Sequence, residues 1–143
     1  IVYHTRFDDG SEYHSPRVHQ FFMNKEGWPC MLPYQTQGET VSESGYAVQD
    51  TAGCYYFVNQ GTAINAEIAE PVMLYLNEDG TARTENAAGT WEMSEGSYHM
   101  TLTLGENTYS GVFCAMNDEA GTPVMALSAV GNDESVWGVK YLD

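Results

Sequence analysis

Positive charge is scarce. Five lysines and arginines stand against twenty aspartates and glutamates, a formal net charge of −15 over 143 residues. So acidic a chain is repelled by phosphate backbones and anionic headgroups, which excludes nucleic acid and a membrane surface as partners. Long apolar runs are also missing. No stretch of ~18 hydrophobic residues exists, so nothing reads as a transmembrane helix. No basic segment leads into an apolar run, so no signal peptide is expected to remain. Cysteine is limited to Cys30, Cys54 and Cys114, without CxxC or CxxH spacing. That excludes a disulfide framework and a zinc knuckle. Each thiol is expected as a small hydrophobe on a strand, with one bridged pair left open. Helical periodicity is nearly absent, the best candidate being one or two turns over 62–69. There is no phosphate loop and no Ser-His-Asp spacing. Asn77-Glu78-Asp79-Gly80 offers two oxygen donors in a turn but lacks the rest of a calcium loop.

What remains is strand-forming sequence. The chain is 43% hydrophobic and 13% aromatic, enough for a core and too apolar for a disordered acidic tail. Its length allows one ordinary domain, or a small domain plus a piece of another. Alternation predicts strands over 1–7 and 17–24, separated by the turn Asp8-Asp9-Gly10-Ser11, with a second turn at Lys25-Glu26-Gly27. After Pro33 a polar stretch, 35–51, reads as a linker with an edge strand near Tyr46–Val48. From residue 53 onward about eight strands follow at ~8–14-residue spacing: 53–59, 71–77, 81–85, 89–94, 97–104, 108–116, 123–130 and 136–142. In SYHMTLTL the apolar residues Tyr98, Met100, Leu102 and Leu104 alternate with polar ones, which predicts one face inside and one in water. The expected fold class is therefore all-β, an antiparallel barrel or sandwich.

The charge divides sharply along the chain. Residues 1–33 carry three bases (Arg6, Arg17, Lys25) against four acids, a net of −1; residues 34–143 carry two bases against sixteen acids, a net of −14. Such a step suggests two units of different origin, 1–33 and 34–143. The apolar opening Ile1-Val2-Tyr3 reads as strand rather than as a polar lead-in, so the chain is expected to be a fragment of a longer protein. Arg6 and Arg17 are candidates for weak surface pairs with Asp8, Asp9 or Glu12.

Two stretches carry a resemblance. Tyr3-His4-Thr5-Arg6-Phe7-Asp8-Asp9-Gly10, then Arg17-Val18-His19-Gln20-Phe21-Phe22-Met23-Asn24 and Gly27-Trp28-Pro29, resemble the last blade of the five-bladed β-propeller of family 43 glycoside hydrolases, the endo-1,5-α-L-arabinanases among them. Gly53-x-Tyr55-x-Phe57, Asn77-x-Asp79-Gly80, Gly89-Thr90-Trp91, Tyr109-Ser110-Gly111-Val112-Phe113 and Val136-Trp137-Gly138 are similar to the lipocalin-like barrel that follows that propeller. The resemblance implies an all-β chain: an antiparallel lipocalin-like β-barrel (34–143) preceded by a β-hairpin from the last propeller blade (1–33).

It implies a function for the intact enzyme: inverting hydrolysis of α-1,5-arabinofuranosidic bonds by a carboxylic acid and a carboxylate held apart. Those carboxylates lie upstream of the YH strand, and none of the acids here matches them. The chain alone is expected to be inactive, with a structural or polymer-positioning role for the barrel. His4 matches a family histidine that contacts a calcium ion in the propeller channel. Calcium is thus implied for the intact enzyme, and firm binding by this chain is not expected. The implied partners are the upstream propeller domain and an arabinan-type polysaccharide, and the implied location is extracellular.

Other side chains are assigned structural roles. His14 and His19 are expected to hydrogen-bond within the blade, and His99 to face solvent. Trp91 and Trp137, beside strand glycines, are expected in the barrel core, while Tyr46, Tyr55 and Tyr56 are left open. Two alternatives stand beside the leading reading: a carbohydrate-binding module with its own polymer site, and a stand-alone lipocalin-like carrier of a small apolar ligand, which needs a cavity inside the barrel. The strands of residues 1–33, cut from a larger sheet, are expected to pack on the barrel, pair with another copy or stay bound to the propeller.

Overall fold

The computed structural model describes residues 1–6, 10–63 and 68–141. In chain order the elements are β1 (Val2–Arg6), β2 (His14–Val18), β3 (Phe21–Met23), β4 (Pro29–Met31), α1 (Val48–Thr51), β5 (Gly53–Asn59), β6 (Val72–Leu76), β7 (Thr81–Arg83), β8 (Ala88–Met93), β9 (His99–Leu104), β10 (Asn107–Asn117), β11 (Pro123–Gly131) and β12 (Glu134–Lys140). Strands β5 to β12 form a closed antiparallel barrel in which each strand pairs with the next. β12 closes back on β5, with Gly138 opposite Phe57. The expected all-β barrel is therefore present, and its eight strands are those read from the alternation.

Turn chemistry sets the register. In the β6–β7 turn Gly80 adopts φ +83°, as the Asn77–Gly80 sequence requires. Asp79 braces that turn, its carboxylate accepting from the Thr81 backbone N–H at 2.9 Å and the Thr81 hydroxyl at 2.6 Å. Those bonds hold its carboxyl below the usual range. Between β11 and β12, Asn132 and Asp133 both take positive φ, 54° and 61°. That left-handed pair matches the twist of the flanking strands, and Asn and Asp tolerate it best after glycine.

Eight strands enclose a space just wide enough for side chains to fill. Tyr55, Phe57, Leu74, Leu76, Trp91, Met100, Leu102, Tyr109, Phe113, Leu127 and Val136 fill it as one cluster. Phe113 lies edge-on to Trp91, ring centres 5.9 Å apart. This packed interior occupies the space that a carried apolar ligand would need. Strand crowding makes glycine obligatory at positions such as Gly89 and Gly111. A Cβ on Gly89 would lie 1.9 Å from Thr103 O, and one on Gly111 2.3 Å from Ser128 O.

A second apolar cluster lies outside the barrel wall. Leu32, Cys114, Met116, Val124 and Ala126 form it, with Phe22, Tyr34, Val41 and Val139 packed against them. The chain from β3 to Tyr46 thus lies across the outer face of β10 and β11. The polar stretch read as a linker is a strap.

Several expectations are corrected. The 17–24 run is interrupted at His19-Gln20, and two separate hairpins result, β1–β2 and β3–β4. The break exists because Gln20 O turns to accept from Leu32 N–H and Val18 O from Thr36 N–H, both at 2.9 Å. The edge strand expected at Tyr46–Val48 is instead the approach to α1. Trp137 faces outward and is half-buried, because its neighbours Val136 and Gly138 take the inward positions. Trp91 is in the core as expected. His99 lies on the outer wall as expected, but it is half-buried and its Nε2 contacts Met23 O of the β3–β4 hairpin. Half of the helix read over 62–69, residues 64–67, lies outside the described residues, as do Asp8, Asp9 and the Arg6 side chain, and with them the surface pairs read for Arg6, Asp8 and Asp9. No helix among the described residues is long and apolar enough to cross a membrane. All three cysteines are free thiols.

Candidate functional site

Three places carry groups that chemistry or recognition could use: the amino-terminal hairpins, the two ends of the barrel, and the outer barrel wall. In the β1–β2 hairpin, His4 pairs with Pro16 and Arg6 with His14. His4 and His14 are therefore diagonal neighbours on one face, and their rings meet at 4.5 Å between centres. Both are exposed. Among the described residues no group of three His, Cys, Asp or Glu side chains converges as a metal site. Calcium takes six to eight oxygen ligands, and the described residues around His4 do not by themselves supply such a shell.

His19 ties the hairpin to the rest of the chain. Its ring is buried, with Nδ1 2.8 Å from Leu32 O and Nε2 3.2 Å from the Tyr3 hydroxyl. A carbonyl only accepts, so Nδ1 carries the proton and Tyr3 donates to Nε2. The Ile1 nitrogen donates to His19 O at 2.7 Å, and the His19 N–H returns to Ile1 O at 2.9 Å. The role expected of His19, hydrogen bonding within this segment, matches the geometry.

The β3–β4 hairpin is fastened to the barrel by a residue the sequence reading passed over. Asn24 is buried, and its side-chain oxygen accepts from the Glu26 and Trp28 N–H groups at 3.0 and 2.8 Å. Its amide nitrogen donates to Ser110 O on β10 at 3.1 Å. One side chain therefore folds the turn and bolts it to the wall. His99 adds a second bolt: Nε2 donates to Met23 O at 3.0 Å, while Nδ1 lies 2.6 Å from Ser97 Oγ. Cys30 and Cys114 sit in the same seam, where burial pushes their thiols up to about 12 and about 11.

The outward face of this segment is uncovered. Among the described residues, eight of the twelve exposed large hydrophobic side chains fall in residues 1–28, including Val2 at 72%, Tyr13 at 76% and Trp28 at 63% exposure. A two-stranded β-hairpin also leaves its outer edges largely unpaired, here relieved at Val18 O by the Thr36 N–H.

Polar groups at the barrel ends are largely spent on structure. At one end α1 caps the core: buried Thr51 accepts from the Tyr55 hydroxyl, and its own hydroxyl reaches Met93 Sδ at 3.7 Å. At the other, Glu134 accepts from Asn59 Nδ2 and from the Tyr109 hydroxyl, both at 2.8 Å. Burial and this carboxylate push the Tyr109 phenol up to about 12. An open groove of about 860 Å³ runs beside the strap, floored by Met116, Val124 and Met125. Lys140 Nζ at its edge donates to the Asp50 and Gln49 carbonyls at 2.8 and 3.3 Å, and Asn117 Nδ2 to Gln37 at 3.2 Å.

The comparisons agree with this anatomy. Residues 33–138 match the family model of the C-terminal lipocalin-like domain of family 43 glycoside hydrolases. An extracellular endo-α-(1→5)-L-arabinanase of Bacillus subtilis (strain 168) is 37% identical over 142 residues, 98% of this chain and 29% of that protein. The extracellular endo-α-(1→5)-L-arabinanase of Thermotoga petrophila is 35% identical over 144 residues, 98% of this chain and 30% of that protein. Crystal structures of a family 43 glycoside hydrolase from Bacillus licheniformis and of the T. petrophila arabinanase each superimpose with a TM-score of 0.88, at 35% and 34% identity, covering 99% of this chain and 32% of theirs. The chain thus spans less than a third of the length of these relatives. With fold, hairpins and barrel all accounted for, the chain belongs to the family 43 glycoside hydrolases and contains their C-terminal lipocalin-like domain.

Proposed function

We propose that this chain is the carboxy-terminal part of an extracellular arabinan-hydrolysing enzyme. Residues 1–33 complete the last blade of its propeller, and residues 34–143 form an accessory barrel that carries no chemistry of its own. One observation carries the reading: the apolar face of residues 1–28 is open, while the opposite side of the same segment is bolted to the barrel by Asn24, His99 and Leu32. A segment fixed on one side and bare on the other is shaped to join two bodies. The relatives, about three times longer, supply the second body upstream. The barrel then acts as a rigid buttress for the final blade. In the assembled enzyme His4 would offer one imidazole to a calcium ion whose other ligands come from outside this chain.

Two measurements test this. The purified 143-residue chain is expected to release no reducing sugar from arabinan, and sustained turnover by it alone overturns the reading. Coexpressed with the upstream part of its parent, it is expected to copurify and to restore hydrolysis. Replacing Val2 and Tyr13 by serine should weaken that association at least ten-fold; unchanged association would remove the docking role.

A further inference from the structure

The outer wall of the barrel divides into three sectors of different chemistry. β10 and β11 are covered by the strap and the β3–β4 hairpin. β8 and β9 present Thr90, Glu92, Thr101 and Thr103, an ordinary solvated surface. The third sector, β12–β5–β6–β7, is aromatic, with Tyr56 and Tyr141 exposed and Val139 at its border against the strap's cluster. Pairing places its outward residues in register. Tyr56 stands between Val139 and Met73. One row further, Tyr75 stands between Cys54 and Arg83. Tyr141 joins that row through its N–H to Cys54 O at 2.7 Å.

Tyr56 and Tyr141 are 48% and 42% exposed and meet edge to face at 5.4 Å. Arg83 lies 4.0 Å over the Tyr75 ring, a cation–π contact. Trp137 borders the group, opposite Val58. No outward-facing position of β12, β5, β6 or β7 carries a carboxylate, in a chain with twenty acids.

We propose that this sector is a binding face for a neutral, hydroxyl-rich polymer, an arabinan chain laid across β12, β5 and β6 with sugar rings against Tyr56 and Tyr141. Aromatic rings with polar tips offer both an apolar platform and hydrogen bonds, which is the combination a sugar presents in return. The outward positions of β12, β5 and β6 carry no charge, which suits an uncharged chain. The −14 on residues 34–143 repels acidic polymers at the same time. The upstream body is a poorer occupant, because the hairpins that lead to it are fastened to β9, β10 and β11, whereas Tyr56 lies on β5, two strands beyond β11. The identity of the polymer rests on the proposed function; the existence and place of the face do not.

The test is affinity electrophoresis of the 143-residue chain in native gels containing linear α-1,5-arabinan, with polygalacturonate as the acidic control. Retardation by arabinan and none by polygalacturonate is expected. Tyr56→Ala with Tyr141→Ala should lower the apparent affinity at least ten-fold, Tyr56→Phe with Tyr141→Phe should largely restore it, and Tyr13→Ala should leave it unchanged. Both rings are nearly half exposed, so the variants are expected to fold, and matching circular dichroism checks this. If the paired alanine variant is retarded like the parent chain, or if the parent chain is not retarded at all, the face is overturned while the hydrolysis and docking tests of the accessory reading stand. A dimer in light scattering that the paired variant abolishes, or loss of copurification with the upstream part in that variant, overturns it equally by giving the face another occupant.

Discussion

The barrel and the amino-terminal hairpins are built from the same antiparallel, alternating strands, yet they solve opposite problems. The barrel satisfies every strand edge internally, because β12 closes on β5. Its inward-facing apolar residues share one interior and are almost wholly buried. The hairpins have two strands each, open edges and much of the exposed apolar surface. Alternation alone therefore does not make a region self-sufficient. Closure does, and a region lacking it must find a partner, here the barrel on one side.

The sharpest way to break this contrast is to damage each region equally. Phe113 is fully buried between Tyr55 and Trp91. Phe113→Ala should cost about 3–5 kcal/mol, since a ring is lost and the closed wall cannot collapse into the space. Tyr13→Ser, removing a ring of comparable size from the open hairpin, should change stability by less than about 0.5 kcal/mol. Urea unfolding of both variants checks this. Similar losses would mean that the hairpin face is buried in solution.

How much of this was legible in sequence follows the same line. The eight barrel strands were readable because one face of each is dry and the other wet, and that difference is written residue by residue. The Asn77–Gly80 turn was readable because positive φ selects glycine. The joints were not. Asn24 meets Ser110 across 86 positions and His99 meets Met23 across 76, and no local pattern encodes such partners. The outward Trp137 looked like core because a tryptophan beside a glycine fits either side of a wall. The four-residue α1 is too short to announce itself, since a single turn does not form without tertiary support. Of the candidate site, the strand that carries His4 was legible. The aromatic sector was not, because it is assembled from strands at both ends of the barrel sequence.

Asn24 tests whether the two regions are mechanically one. Asn24→Ala leaves the Glu26 and Trp28 N–H groups and the Ser110 carbonyl without that partner. Each buried polar group left unsatisfied costs about 1–3 kcal/mol, and less where water reaches it, as at the exposed Glu26 and Trp28. The expected loss is therefore intermediate, and local: hydrogen exchange should rise in 20–32 while β5 to β9 stay protected. Uniform loosening of the whole barrel would show that the hairpin is part of its cooperative core rather than an attached layer.

The smallest effect concerns the strap that joins the two regions. Burial alone would raise the Glu39 carboxyl, but it is outweighed by hydrogen bonds from the Thr36 hydroxyl at 2.6 Å and the Gln37 N–H at 2.9 Å, which hold it below its ordinary 4.5. A carboxyl whose folded value lies below its unfolded value stabilises the fold above the unfolded value, and that contribution fades as pH falls through the folded one. Glu39→Gln should therefore be slightly less stable than the parent at pH 7, with the gap closing below about pH 4. Because the other carboxylates titrate in both proteins, only the difference between the two unfolding curves reports Glu39. If the gap persists unchanged at low pH, the Thr36–Glu39 contact is not what holds the strap, and the apolar cluster around Leu32 and Val41 fastens it alone.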